Sequence, residues 1–291
     1  MTERAPIATR PDMVFEVLDA SEIGEIAQPL SWLQRLVASD GFRRAAILLA
    51  LALIWELYAR WVQNPLILPT LSDTLVTFAK DTMSGVLPDR IATSLRSLLL
   101  GYGAGLALAA VFTTLAVSTR IGSDLLATLT SMFNPVPAIA LLPLALVWFG
   151  LGTPSLVFVI VHSVLWAVAL NTLTGFRSVP EVQRMSGRNY GLHGVRYVVL
   201  ILIPAAFPSI LAGMKIGWAF AWRTLIAAEL VFGVSSRAGG LGWYIFEARS
   251  ELDTSRVFAG LLAVILIGLF VEAFVFRLIE RRTVQRWGMQ R

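Results

Sequence analysis

The chain has 291 residues, 56% of them hydrophobic and 15% charged, with a mean hydropathy of +0.72 and a formal net charge of +5. It is too apolar for an ordinary soluble domain and belongs in a bilayer, where an excess of arginine reads as membrane topology rather than nucleic-acid binding. Cysteine is absent and the only histidines are His162 and His193, which argues against a disulfide framework, a thiolate metal site and a histidine-rich metal centre.

Residues 1–41 carry Pro6, Pro11 and Pro29 among mixed charges, with no basic run leading into an apolar stretch, so a cleaved signal peptide is not expected. Leu30, Leu33, Leu36 and Val37 fall on one side of a helix, and Trp32 and Arg35 suit the headgroup region. This pattern predicts a surface-lying helix before the first span, with a frayed linker as the alternative.

A span needs about 20 mostly apolar residues, and six stretches qualify: Phe42–Val62, Ser94–Val117, Leu125–Phe149, Pro154–Leu173, Phe207–Phe232 and Val257–Ile279. The fold class is therefore an all-α polytopic membrane protein with six transmembrane helices. The transmembrane domain covers 42–279, with a loop at about 176–206, and 280–291 forms a basic tail. Arginines concentrate in the N-terminal segment, at Arg120, between Arg177 and Arg196, and in the tail. The opposite segments interleave Arg90, Arg249 and Arg256 with Asp81, Asp89, Glu247 and Asp253. By the positive-inside rule both termini and the 176–206 loop face the cytoplasm.

In the second span, Gly101 and Gly105 have the small-xxx-small spacing that lets helix backbones approach closely. The third contains Pro135, Pro137 and Pro143, so its hydrogen-bond ladder is interrupted. Broken helices at membrane depth are tolerated where they are buried in protein or line a cavity, which makes Asn134 and Pro137 candidate pathway-lining residues; a simple kink is the alternative.

The loop after the fourth span is polar and basic. Ser178-Val179-Pro180-Glu181 reads as a capping box that starts a short helix over Pro180–Tyr190, containing Arg184, Met185, Ser186, Gly187 and Arg188. Gly191 is suited to the left-handed turn that ends it, and a second helix should run from about Gly194 to a break at Pro204.

The fifth span embeds Lys215, Arg223 and Glu229, and charges inside a span usually face the bundle interior or a water-filled path. At 100° per residue Lys215 and Trp222 lie within about 20° of each other, with Arg223 one step round. Lys215 reads most simply as snorkelling to the cytoplasmic interface. Arg223, nearest mid-membrane, reads as a cationic lining residue for an anionic solute, with Glu229 near the outer end; structural ion pairs are the alternative. Gly239 to Arg256 should form an external loop with interfacial aromatics.

The chain's two lysines, Lys80 and Lys215, lie outside any Gly-x4-Gly-Lys-Ser/Thr pattern, so no phosphate loop exists and the chain should not hydrolyse ATP by itself. Its span-embedded titratable groups lack convergent catalytic spacing. An integral membrane enzyme or a scaffold subunit without transport activity remains the alternative class.

The stretch from Gly191 to Ile201-Leu202-Ile203-Pro204, with nine intervening residues, resembles the second half of the cytoplasmic loop of ABC-transporter permeases, Glu-Ala-Ala-x3-Gly-x9-Ile-x-Leu-Pro. The Glu-Ala-Ala positions fall on Met185, Ser186 and Gly187, which keep two small residues and lose the acid. Further similarity lies in VPAIALLPLALVWFG (136–150), FPSILAGMKIGWAFAWRTLIAAEL (207–230) and GGLGWYIFEARSELDTSRVFAGL (239–261). Among such permeases the chain resembles those importing nitrate, sulfonates and taurine. The resemblance implies a type I importer fold in the bacterial inner membrane, working by alternating access. It implies a second permease copy as partner, two ATPase subunits that bind ATP and Mg, and a periplasmic or lipid-anchored substrate-binding protein. It implies no cofactor on this chain, and it makes Pro180, Glu181, Arg184, Met185, Ser186, Gly187, Arg188, Gly191 and Pro204 the coupling segment.

Overall fold

The structure is a computed structural model describing residues 39–232 and 239–285. The chain divides into two units, Met1–Ile54 and Trp55–Arg291. The expected surface helix at Leu30–Val37 lies outside the described residues.

Among the described residues all regular structure is helical. Five helices are long and apolar enough to cross a membrane, or six when one bent pair counts as a single span. They are α1 (Asp40–Val62), α3 (Val86–Ser118), α6 (Thr153–Arg177), α8 (Gly194–Val231) and α10 (Thr254–Val284). The bent pair is α4 (Arg120–Phe133) with the segment Ala138–Phe149, whose last part is α5 (Leu142–Phe149); the two meet at 88°. Pro135 and Pro137 cannot donate to a helical ladder, and Pro137 instead caps a 3-10 turn over Ala138–Leu141. Pro143 falls in the first turn of α5, where a missing N–H costs nothing.

Three shorter helices lie between the long ones. α2 (Leu71–Met83) starts at Thr70, whose side chain accepts from Asp73 N. α7 (Glu181–Asn189) lies in the loop after α6, and α9 (Leu241–Ser250) forms in the stretch expected to be a loop. Near the start of α2, Glu56 accepts from the backbone N and the hydroxyl of Ser72, at 3.1 and 2.8 Å.

α6 is the central helix, with Val159, Ile160, Val164 and Ala169 fully buried. Glycine stripes flank it on two sides. A Cβ on Gly101 of α3 would come 2.6 Å from Ile160 Cγ2, and one on Gly105 would come 2.7 Å from Val164 Cβ. From α8, a Cβ on Gly213 would meet Asn171 Cβ at 2.8 Å and one on Gly217 would meet Val168 Cγ2 at 3.0 Å. Both contacts need the missing side chains, the packing mode of helices that cannot rely on water to drive them together.

Four expectations are corrected. α3 begins at Val86, eight residues before Ser94, because Leu87 is fully buried and Arg90 finds partners at the outer end. No capping box forms: Ser178 Oγ donates to Gly175 O at 2.8 Å, and Pro180 caps α7 without a side-chain bond. Pro204 does not break its helix. A π turn over Val198–Leu202 precedes it, in which Ile203 N–H donates five residues back to Val198 O, and the helix runs on through Pro208. Finally, α10 continues past Ile279 to Val284, which is buried.

Candidate functional site

Three regions carry the residues of interest. The first is the loop between α6 and α8. α7 ends in a Schellman arrangement: Leu192 N–H donates to Gly187 O at 3.1 Å and Gly191 N–H to Arg188 O at 2.9 Å, with Gly191 at φ +73°. Gly187 is buried, and a Cβ there would stand 2.8 Å from Ile201 Cγ1 and 3.1 Å from the Tyr197 ring. Arg184 turns inward as well, donating to Val179 O at 3.0 Å and Phe176 O at 2.6 Å, so it caps the carbonyl end of α6. Beneath it, Phe176, Val179, Val198, Leu202 and Ala206 form a small buried cluster. Outward face Val182, Met185 and Tyr190, at 73%, 49% and 82% exposure, beside the exposed Arg188 and Ser186. Of the segment singled out by sequence, then, Arg184 and Gly187 fix the loop while Met185 and its neighbours present an open face.

The second region is a cavity of about 360 Å3 between the α4–α5 bend, α6 and α8. Asn134, Pro137 and Arg223 line it together, and so do His162, Ser163, Trp166 and Thr224. Arg223 Nε donates to Ala219 O at 3.0 Å, one turn back, and the guanidinium lies 5.2 Å from the Phe220 ring centre. No carboxylate among the described residues pairs with it, and no Asp or Glu lines the cavity. Trp166 stacks on Phe133 at 5.7 Å and 9°.

The other residues picked from the fifth span lie elsewhere. Lys215 and Trp222 line a second cavity of about 350 Å3, which Arg223 also borders, with Gly268 and Glu272 across it on α10. Lys215 Nζ is paired with Glu280 Oε2 at 2.8 Å. Trp222 is buried, its Nε1 donating to Val264 O at 3.3 Å.

Glu229 belongs to the third region, at the far end of α8. It is 4% exposed and accepts from Ser94 Oγ at 2.8 Å and from Gly242 N at 2.7 Å, while Leu241 N donates to Ser94 Oγ at 2.7 Å. Arg90 donates to Gly239 O at 2.8 Å and lies 3.7 Å from Glu247. On the other side of α9, the buried Tyr244 donates to Asp81 Oδ2 at 2.6 Å, and Arg256 approaches the same oxygen at 3.3 Å. Burial first, and the Asp81 carboxylate second, push the Tyr244 phenol well above its ordinary value, so it stays a donor. α9 is thus fastened to α3 and α8 on one side and to α2 and α10 on the other. Glu229 acts here as an acceptor for backbone N–H and hydroxyl groups rather than as an exposed charge.

Sequence reasoning missed the cavity roles of His162 and Trp166, and the Ser94 and Glu280 partners. His162 and Trp166 are four residues apart on one helix, so their shared face was readable from spacing.

Comparison with known proteins adds the deciding observation. Residues 97–285 match the family described as the binding-protein-dependent transport system inner membrane component. This chain belongs to that family. The permease is 31% identical over 238 residues to the taurine transport system permease protein TauC of Escherichia coli strain K12, covering 78% of this chain and 83% of that one. It is 30% identical over 186 residues to the nitrate import permease protein NrtB of Synechocystis sp. strain PCC 6803, covering 64% of this chain and 66% of that one. The family is one of transport subunits, which sets aside the enzyme and scaffold alternatives. The permease is a multi-pass component of an inner-membrane transport system that works with a binding protein.

Proposed function

We propose that two copies of this permease form the translocation pathway of an ATP-driven importer for a small anionic solute. A twofold pair is the default because six spans suit half of a pathway and one chain supplies both halves. Both termini and the 176–206 loop face the cytoplasm, where the arginines concentrate. Two separate ATPase subunits bind ATP and Mg, and the outward face of α7 with the Gly191 turn docks on them. A periplasmic or lipid-anchored binding protein delivers solute at the opposite side, near α9. Membrane lipid surrounds the assembly, and no cofactor sits on this chain. The transmembrane domain is 42–279, flanked by the segment 1–41 and the tail 280–291.

The observation that carries the solute class is Arg223: a guanidinium within a span, lining a cavity that has no acidic residue and lacking a carboxylate partner among the described residues. A cation in that position lowers the barrier for an anion and raises it for a cation. The named relatives move taurine and nitrate, both of which carry an oxyanion or are one. Lys215, Trp222 and Glu229 lie on the same helix as Arg223; Asn134 and Pro137 share the cavity with it.

The test is ATP-dependent uptake in proteoliposomes holding the permease, its ATPase subunit and its binding protein. Arg223→Ala is expected to assemble and to cut uptake of the anionic solute at least tenfold, with Arg223→Lys intermediate. Uptake by Arg223→Ala at the unmodified rate would reject the pathway role.

A further inference from the structure

Two helices face each other across the second cavity and carry charges in register. α8 and α10 run antiparallel there: Lys215 Nζ pairs with Glu280 Oε2 at 2.8 Å, the Trp218 and Phe276 ring centres lie 6.4 Å apart, and Trp222 Nε1 donates to Val264 O at 3.3 Å. Eight residues on from Lys215 along α8 is Arg223, and eight residues back from Glu280 along α10 is Glu272. At 1.5 Å per residue each step is about 12 Å, so the two pairs of residues form successive rungs between the same helices. Arg223 and Glu272 both line the cavity of about 350 Å3. The first rung is closed and the second is open, since neither Arg223 nor Glu272 joins an ion pair among the described residues.

Charges inside a span pair with one another or face a water-filled path. Glu272 lies within the span Thr254–Val284 and is exposed, so its carboxylate borders the cavity rather than the packed core. Lys215 is committed to Glu280, which leaves Arg223 as the cation across from Glu272 that is not already paired. Arg223 also lines the first cavity, so its side chain stands on the wall between the two. It is held there by one bond, from Nε to Ala219 O on its own helix, and by the Phe220 ring at 5.2 Å. Turning the guanidinium toward α10 is a side-chain rotation that exchanges these for a charge-assisted contact.

We infer that Glu272 is the internal counter-charge of Arg223, a positioning residue that draws the guanidinium to the α10 side when the first cavity holds no anion and yields it when one enters. The inference rests on the pathway reading of Arg223 above and adds the group against which a solute competes. An entering anion meets Arg223 in two populations, and only the one turned away from Glu272 binds it. Apparent affinity is reduced by the fraction of that population. The same competition favours release, because the carboxylate reclaims the guanidinium as the anion leaves. Lys215 and Glu280, one rung nearer the Gly191 loop, keep α8 and α10 in register while the second rung opens and closes.

The experiment uses the complete permease–ATPase complex in nanodiscs and has two arms. In the first, nitrate and taurine are titrated by calorimetry without binding protein. Glu272→Gln, close in shape and uncharged, should bind the better probe about tenfold more tightly than the unmodified complex, and Glu272→Asp should stay within about twofold of it. In the second arm the melting midpoint of the anion-free complex is measured for charge reversals. Arg223→Glu and Glu272→Arg each set like charges across the cavity and should lower the midpoint, and the double reversal should recover roughly half of the loss or more, as directly coupled sites do. Where a single reversal fails to assemble, assembly of the double reversal is the measure of recovery. Recovery without tighter binding by Glu272→Gln describes a fixed structural pair, and tighter binding without recovery a distant charge effect; either overturns the inference, as does binding of neither probe by Glu272→Gln. Uptake by Arg223→Ala separates the two readings. If that uptake falls while either arm fails, the pathway reading stands and only the counter-charge is lost. If Arg223→Ala transports at the unmodified rate, the pathway reading fails and the switch fails with it.

Discussion

Ser94 and Glu229 are 135 residues apart in the chain, yet the serine hydroxyl donates to the glutamate carboxylate at 2.8 Å in a buried pocket. The same carboxylate receives Gly242 N–H and the same hydroxyl receives Leu241 N–H, so the first turn of α9 is anchored through two side chains. Removing one partner of a buried hydrogen bond costs about 1–3 kcal/mol for each group left unsatisfied. Glu229→Ala is therefore expected to lower the thermal unfolding midpoint of the detergent-solubilised permease and to expose α9 to limited proteolysis. Glu229→Gln, which keeps one acceptor oxygen, should lose less. A Glu229→Ala protein with unaltered melting and proteolysis would show that α9 is held by the Asp81, Tyr244 and Arg256 side alone.

Two glycines in the loop between α6 and α8 should fail for different reasons. Gly191 has open space around its Cβ position, and its φ of +73° is the whole constraint. Gly191→Val should cost roughly 1–2 kcal/mol or more in local backbone strain and uncouple transport from ATPase activity while membrane insertion stays normal. Gly187 has an ordinary backbone, and its Cβ position collides with Ile201 and Tyr197. Gly187→Val should push α7 off the start of α8 and reduce assembly with the ATPase subunit. Stimulated ATPase activity and co-purification separate the two. Equal behaviour of both variants, or normal coupled transport by Gly191→Val, would contradict this division.

The α3–α6 contact makes a third case. Gly101 and Gly105 sit directly against Ile160 and Val164, which are fully buried. Overpacking a close contact typically costs about 1–3 kcal/mol. Gly105→Leu should cut the yield of folded protein, and combining it with Val164→Ala should restore part of the loss. Absence of any rescue would mean that α3 meets another surface in the membrane.

Much of this fold was legible because hydropathy registers a helix that must cross lipid. The spans failed at their ends, where charge hides helix. α3 starts among Asp89 and Arg90, which lower hydropathy, yet Arg90 is satisfied by Gly239 O and Glu247 and so continues the helix. α2 and α9 are too short to register as spans, and their stability comes from partners distant in sequence, such as Asp81 for Tyr244. Pro204 looked like a stop because local rules forbid its N–H bond; the π turn re-pairs Ile203 with Val198. At the site, Arg223, Asn134 and Pro137 were readable as a charge and a broken ladder at membrane depth. The Trp166 nitrogen, without a hydrogen-bond partner among the described residues, was not, since an indole in a span reads as packing until its neighbours are known. Glu229 read as a charge near the outer end of its span, and the Ser94 hydroxyl that makes it a buried acceptor comes from another helix.

The continuity of α8 past Pro204 has a mechanical side. From Gly194 to Val231 it runs 38 residues, about 57 Å at 1.5 Å per residue. The π turn at Val198–Leu202 lies within the first quarter, next to the loop, and the arm beyond it is regular helix. Such an element is a lever with its fulcrum near the Gly191 loop. A tilt of about 5° at the π turn sweeps the far end of that arm through roughly 4 Å, more than the diameter of a water molecule. Arg223 rides on the long arm. A small push at the Gly191 turn would thus become a stroke of roughly 3 Å at Arg223, with no helix needing to melt or re-form.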